Sequence, residues 1–205
     1  MPLFESSKER RSKELEMKAQ NRLPPGQSLT LKWPVLHKGE VPPFNPQTWD
    51  FSIGGLVEKP LRLSYPEFMA LPSVQVKSDF HCVTRWSKFD NLWEGVAFVE
   101  VIKNAHPLPK SRYVLVHGES GYSANVPLWD MMRPEVLFAY KHNGENLTPE
   151  HGWPLRLIVP HLYAWKSVKW VRALEFMELD QPGFWEQYGY HMYGDPWREQ
   201  RFSAE

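Results

Sequence analysis

The stretch 79-DFHCVTRWS-87 holds the only cysteine of the chain, Cys82, set between His81 and Arg85. An unpaired cysteine is most often a small apolar core residue. Its neighbours argue for more. Arg85 is too polar to enter an apolar interior unpaired, and a nearby cation stabilises the thiolate that a nucleophile or a metal ligand requires. A nucleophile also needs a base, and His81, His151, His161 and His191 supply the residue type without a protease-like signature around any of them. The residues alone leave thiol nucleophile and metal ligand both open.

A second stretch, 151-HGWPLRLIVPHLYAWKSVKW-170, reads as an apolar strand, LRLIV, with His151 and Arg156 on one side and Lys166, Ser167 and Lys169 on the other. Four potential cations and a hydroxyl at the two ends of one strand, in a turn rich in aromatics, can close around a single anion. Lys166 and Lys169 read equally well as ordinary surface charges. A phosphate-bearing cofactor is the competing reading, with arginine supplying a fork and the lysines point charges.

Composition narrows the rest. Lysine plus arginine equals aspartate plus glutamate at 24 each, so no overall field holds a nucleic acid or a membrane surface by bulk charge. Any anion site must be local. One cysteine makes no intramolecular disulfide, and the opening residues contain no apolar run of signal-peptide length, so a cytoplasmic location is expected. No segment approaches the roughly 18 consecutive apolar residues of a membrane span.

With 205 residues, 42% hydrophobic, one domain is expected over residues 31–205, preceded by a polar helix or tail over residues 1–30. The 19 prolines and 12 glycines require short elements and many loops. Brief β-type runs follow one another: WDFSIGGLV, VQVKSDF, RYVLVHG, EVLFAYKHNG and PLRLIVP. SYPEFMALP reads as a short helix begun by a serine cap, and NLWEGVAFVEVIKNA as a longer one. The mixture is a strand-led α+β class.

Taken together, the two opening stretches resemble the sulfite oxidase family of molybdopterin enzymes, in its small, haem-free, single-domain form. The similarity runs from roughly Trp33 to Phe202 through WDFSIGGLVEKPLRLSYPEFMALP, HCVTRWSKFDNLWEGV, SGYSANVPL, HGWPLRLIVPHLYAWKSVKW and PGFWEQYGYHMYGDPW. It implies a mixed, mainly β, sulfite oxidase-type molybdopterin-binding fold holding one molybdenum-pterin cofactor and no haem. In that family the cysteine of the CVTRWS-type motif gives its thiolate to molybdenum, which implies Cys82 as metal ligand, a soft donor suited to a redox metal. The HGxPxR motif and the basic turn after it hold the pterin and its phosphate, which implies His151, Arg156, Lys166, Ser167 and Lys169. Ser123 in GYSANVPL resembles the loop over the cofactor, and His37 in LHKGEVP resembles an early-loop histidine on the pterin.

The resemblance also implies Tyr190 as a substrate-side tyrosine, able to donate a hydrogen bond to a bound oxyanion or oxide. Arg85, the arginine nearest Cys82 in sequence, completes the catalytic set. The early loop VLHKG lacks the arginine that animal-type enzymes use to clamp sulfite, so the expected pocket is less positive than a dedicated sulfite site. What the resemblance implies is oxygen-atom transfer on a small sulfur oxyanion or an S- or N-oxide. Electrons would be exchanged with a separate redox partner, and the chain would be a monomer. The rival is a non-catalytic module of the same fold that binds pterin, an anion or a partner protein, with Cys82 structural.

Overall fold

The computed structural model describes residues 7–203. In chain order the strands are β1 (Ser28–Leu29), β2 (Asp50–Gly55), β3 (Leu61–Ser64), β4 (Ser73–His81), β5 (Trp86–Ala97), β6 (Tyr113–Gly118), β7 (Ser123–Pro127), β8 (Leu137–His142), β9 (Glu145–Asn146), β10 (Arg156–Ile158) and β11 (Val171–Met177). Five short α-helices punctuate them: α1 (Ser7–Ala19), α2 (Tyr65–Met69), α3 (Phe98–Ile102), α4 (Leu128–Met131) and α5 (Phe184–Gln187). The strand-led α+β class expected from the sequence is the class observed.

Two sheets are built from these strands. One runs β1-β5-β8-β10, with β4 on β5 and β9 on β8; the other runs β3-β2-β11-β6-β7. Their facing sides enclose the main core, in which Phe51 and Ile53 of β2, Val114 and Val116 of β6 and Leu174 and Phe176 of β11 meet Val96, Phe138 and Leu157 of the other sheet. The rings of Phe51 and Phe138 lie edge to face at 5.3 Å. Strand alternation then decides the remaining face. Leu137 and Ala139 of β8 and Ile158 of β10 point the other way, joining Phe80 and Trp93 in a second cluster. Arg156, two residues before Ile158, is carried to that same side, over the rings of Phe80 and Trp93 and beside a cavity.

Local chemistry explains several boundaries. Helix α2 starts at Ser64, where the Ser64 amide donates to Glu67 Oε2 at 2.8 Å in a reciprocal capping box, with a proline in the first turn. In 91-NLWEGVAFVEVIKNA-105 the expected longer helix is not formed. Residues through Ala97 belong to β5, paired on both sides with β4 and β8, and only Phe98–Ile102 turn helical. Gly95 marks the reason: a Cβ there would lie 2.0 Å from the Phe138 carbonyl oxygen, a backbone approach that only glycine allows. Likewise GYSANVPL, expected as a loop, forms β7.

Helix α1 is solvated along most of its length, as its composition requires. Met17 packs with Leu23, Leu29 and Phe89, and Glu14 accepts the Leu29 amide at 3.2 Å. Ser28 and Leu29 pair in parallel with Trp86 and Ser87, so residues 28 and 29 belong to the first sheet. No helix among the described residues is long and apolar enough to cross a membrane.

Candidate active site

A cavity of about 260 Å³ opens beside the second cluster. Its lining comes from six separate parts of the chain: the early loop (Trp33, His37), the β4–β5 turn (Cys82, Thr84), Tyr122, Arg156 on β10, the turn after β10 (Trp165, Ser167, Lys169), and the C-terminal stretch (Trp185, Tyr190). No aspartate or glutamate among the described residues lines it.

Cys82 sits at the head of a tight turn. Its amide donates to the Trp86 carbonyl at 2.9 Å, and the Arg85 amide donates back to the Cys82 carbonyl at 3.0 Å. Arg85 takes a left-handed conformation to close this turn (φ 70°), which leaves its side chain exposed, outside the cavity lining. Behind the turn, buried Gln27 donates to the Cys82 carbonyl at 3.0 Å. His81 contacts Ser87 Oγ at 2.8 Å and is not part of the lining. Burial holds the His81 imidazole down at about 4, so it is neutral near pH 7.

The thiol itself is buried and borders the cavity, with Thr84 Oγ1 3.1 Å from its sulfur. Burial pushes the Cys82 thiol up, against the contrary pull of Thr84. Such a thiol is a poor free nucleophile, because it lacks the thiolate. Bound to a soft metal it loses the proton to the metal instead, so the environment favours a ligand over a hydrolytic nucleophile. No cluster of three or more histidine, cysteine or acidic side chains able to hold a metal occurs among the described residues. A metal here has Cys82 as its protein donor and must bring other donors with it.

Three cations border the same space: Arg156, Lys169 and Lys38, the last with its Nζ donating to the Ser120 carbonyl at 2.8 Å and lying over the Phe184 ring at 4.6 Å. Arg156 is 2% exposed, and its guanidinium donates to the carbonyls of His151 (2.9 Å) and Ser167 (3.3 Å) while lying over the rings of Trp33 and Phe80 at 5.2 and 5.3 Å. Burial pulls its pKa down to about 9. Half-buried Lys169 donates to the Leu36 and Glu150 carbonyls at 2.8 and 2.6 Å, and burial, with repulsion from Arg156, lowers it to about 7. Arg156 Nε and Trp86 Nε1, on two lining residues, are buried with no hydrogen-bond partner among the described residues. Three cations and two spare donors, with no carboxylate lining the cavity, call for an anion with several acceptor oxygens. A phosphate-bearing pterin that carries its metal to Cys82 fits this donor set.

The structure therefore brings Cys82, His37, Arg156, Ser167, Lys169 and Tyr190 to one cavity. Ser167 Oγ accepts the Val159 amide at 3.0 Å, and His37 Nδ1 contacts the Gly39 carbonyl at 2.9 Å. The other expected site residues lie elsewhere. His151 stacks on the far side of Trp33 at 3.9 Å, its ring nitrogens engaged with Thr148 Oγ1 and the Trp33 carbonyl. Ser123 is half-buried at the start of β7. Lys166 is fully buried against Glu186.

Sequence reasoning missed Trp33, Thr84, Tyr122, Trp165 and Trp185 as lining residues. The aromatic richness of LYAWKSVKW and PGFWEQYGY was the available signal for Trp165 and Trp185. For Trp33 nothing local was informative. Tyr122 donates to the Trp165 carbonyl at 2.6 Å, and burial raises its phenol well above the ordinary value.

Comparison with known proteins places this arrangement. The model of the oxidoreductase molybdopterin binding domain matches residues 38–185. The uncharacterized oxidoreductase YuiH of Bacillus subtilis is 48% identical over 183 residues, covering 89% of this chain and 92% of YuiH. The protein-methionine-sulfoxide reductase catalytic subunit MsrP of Gluconobacter oxydans is 28% identical, over 75% of this chain and 56% of MsrP. The nitrate reductase [NADPH] of Aspergillus niger is 29% identical over 71% of this chain but only 19% of its own length. Among solved structures, the sulfane dehydrogenase SoxCD from Paracoccus pantotrophus has the same fold, with a TM-score of 0.64 at 24% identity, covering 70% of this chain and 41% of that one.

Proposed function

Since the chain belongs to the oxidoreductase molybdopterin binding domain family, we propose that it is a molybdenum-pterin oxidoreductase that removes an oxygen atom from a neutral S- or N-oxide, with electrons from a separate redox protein. The cofactor supplies the two-electron redox chemistry at the metal. Net reduction of an S-oxide takes two electrons and two protons and gives a thioether and water.

The single observation that carries this reading is the chemistry of the cavity wall: one thiol, three cations without a lining carboxylate, and otherwise mostly aromatic and apolar side chains. Cys82 would ligate the metal. Arg156 and Lys169 would hold the phosphate, with Ser167 fixing the turn between them and His37 closing the early loop over the pterin. His151 would act indirectly, stacked behind Trp33 while its carbonyl takes a hydrogen bond from Arg156.

Arg156 and Lys169 are assigned to the cofactor in this reading, Lys38 is engaged by the Ser120 carbonyl and the Phe184 ring, and Arg85 lies outside the lining. Little positive charge then remains for a sulfite dianion, whereas a neutral oxide loses little. A deficit of one or two charge-assisted hydrogen bonds, each ~1.5–3 kcal/mol, weakens a dianion by about one to four orders of magnitude. Tyr190, whose phenol is kept neutral by burial beside Cys82, is a proton-bearing donor for the departing oxygen.

The test is chemical. Protein made in a host competent in pterin synthesis should contain molybdenum and organic pterin in equal amounts and should reduce neutral oxides with a dye donor faster than it oxidises sulfite. Zinc, or neither metal nor pterin, rejects the cofactor. Fast sulfite oxidation with a micromolar KM rejects the substrate.

A further inference from the structure

Lys166 and Glu186 form a 2.6 Å ion pair in which both side chains are completely buried. The lysine Nζ also reaches the Asn125 carbonyl (2.9 Å), Asn125 Oδ1 (2.7 Å) and the Met192 carbonyl (2.6 Å). Glu186 Oε1 accepts the indole N–H of Trp165 at 2.7 Å. The cluster thereby ties together β7, the turn after β10, α5 and the C-terminal stretch. An ion pair without solvent loses several kcal/mol of solvation per ion, and an apolar pair of equal volume is often as stable. Stability alone therefore does not account for it.

What the cluster holds in place is one wall of the cavity. Trp165, whose indole it anchors, lines the cavity and meets Tyr190 edge to face at 5.1 Å. Trp185, on the same helix as Glu186, lines it too and stacks on Tyr190 at 5.1 Å. The Trp165 ring is also confined from behind: a Cβ on Gly194 would lie 2.8 Å from its Cζ2 atom. Tyr122 holds the Trp165 backbone from the other side. The indole is thus held at its N–H, on its faces and through its backbone.

We propose that Glu186, paired with Lys166, is a positioning residue that sets the Trp165, Trp185 and Tyr190 wall and so selects oxides carrying a flat apolar substituent. This rests on the cavity being the reaction site. It also moves Lys166 from phosphate contact to wall support. Trp165 and Trp185 act on the substituent of the oxide and Tyr190 on its oxygen, so displacing the wall weakens recognition of a bulky substrate alone and lowers kcat for bulky and small substrates alike.

The experiment compares wild-type holoenzyme with Glu186→Gln, Glu186→Ala and the double variant Lys166→Met/Glu186→Leu, which removes both charges together and so avoids a stranded buried ion. Substrates are methyl phenyl sulfoxide and dimethyl sulfoxide, with a reduced dye as donor. In Glu186→Ala and the double variant, KM for the phenyl compound is expected to rise ~10-fold, equivalent to the burial of about two methylene groups. With dimethyl sulfoxide KM stays within twofold, as does pterin content, while kcat falls by the same factor for both substrates because Tyr190 moves with the wall. Glu186→Gln, which keeps an acceptor for Trp165, restores most of the phenyl KM. Equal KM changes for both substrates, a fall in kcat with no rise in the phenyl KM, or loss of pterin in the double variant overturns the proposal. If wild type reduces neither oxide, the proposed function fails by itself. The positioning role is then decided by the fluorine signal of 3-fluorotyrosine at Tyr190, assigned by its loss in Tyr190→Phe. That signal should move in Glu186→Ala and the double variant and return in Glu186→Gln; an unmoved signal overturns the role.

Discussion

Replacing Arg156 by methionine should separate what this residue does for the fold from what it does for the cofactor. The side chain is fully buried on β10, and its drop to about 9 means that the folded, cofactor-free protein disfavours the cation by ~5 kcal/mol relative to water. The sign follows from linkage. A base with a lowered folded-state pKa carries its full penalty below that value, so at pH 7 the whole penalty is present and is relieved by a neutral side chain. Against it stand the hydrogen bonds to the His151 and Ser167 carbonyls, ~1.5–3 kcal/mol each. Ring contacts with Trp33 and Phe80 add ~0.5–2 kcal/mol each. Methionine keeps the stem volume and its own contact with the rings. These contributions nearly cancel, so apoprotein stability should stay within ~2 kcal/mol of wild type, where removing one member of a tight buried ion pair costs ~3–5 kcal/mol. The bound phosphate, by contrast, loses a charge-assisted contact of ~1.5–3 kcal/mol, about 10- to 150-fold in affinity. Urea unfolding of apoprotein from a host unable to make the pterin gives the first number, and pterin retained after dialysis of holoprotein gives the second. A loss of more than about 4 kcal/mol in the apoprotein with undiminished pterin retention would refute the reasoning and make Arg156 structural.

Cys82→Ser should leave circular dichroism and melting close to wild type while abolishing turnover and metal retention, since a hydroxyl matches the thiol in size but is a poorer donor to a soft metal; wild-type rates in the variant would remove the ligand assignment. Lys169 holds fewer protons folded than unfolded between about 7 and its ordinary value, so apoprotein stability should rise with pH across that window. Lys169→Met should flatten the rise, and parallel pH profiles for the two proteins in urea unfolding would contradict it. Tyr190→Phe should lower kcat for oxide reduction without changing the melting temperature, because only a hydroxyl at the cavity edge is removed; an unchanged kcat argues against proton delivery from this residue. Phe138→Ala, at the centre of the contact between the sheets, should destabilise by ~3–5 kcal/mol in chemical unfolding.

Local order was legible in the linear chain wherever one short stretch contained all of its own causes. The Ser64 to Glu67 capping box, the polar face of α1 and the apolar run at Arg156–Ile158 each follow from near neighbours, and so does Cys82 as a singular thiol in a polar setting. The turn after β10 stood out in the linear chain because three polar side chains fall within four residues. Residues 91–97 were not legible. Their apolar spacing suits helix and strand alike, and the choice was made by β4 and β8, which pair with both edges of that strand. The direction of each charge was equally hidden. Lys166 and Lys169 are three positions apart in one turn, yet one is sealed against Glu186, 20 residues further on, and the other borders the cavity. Arg85, nearest the thiol in sequence, is turned outward by the left-handed residue that closes its own turn. A side chain's direction depends on which sheet face its strand presents and on what packs there, and those are relations between distant segments. Residue type and spacing thus determined which chemistry the chain can hold, and tertiary packing alone decided which of those groups share one cavity.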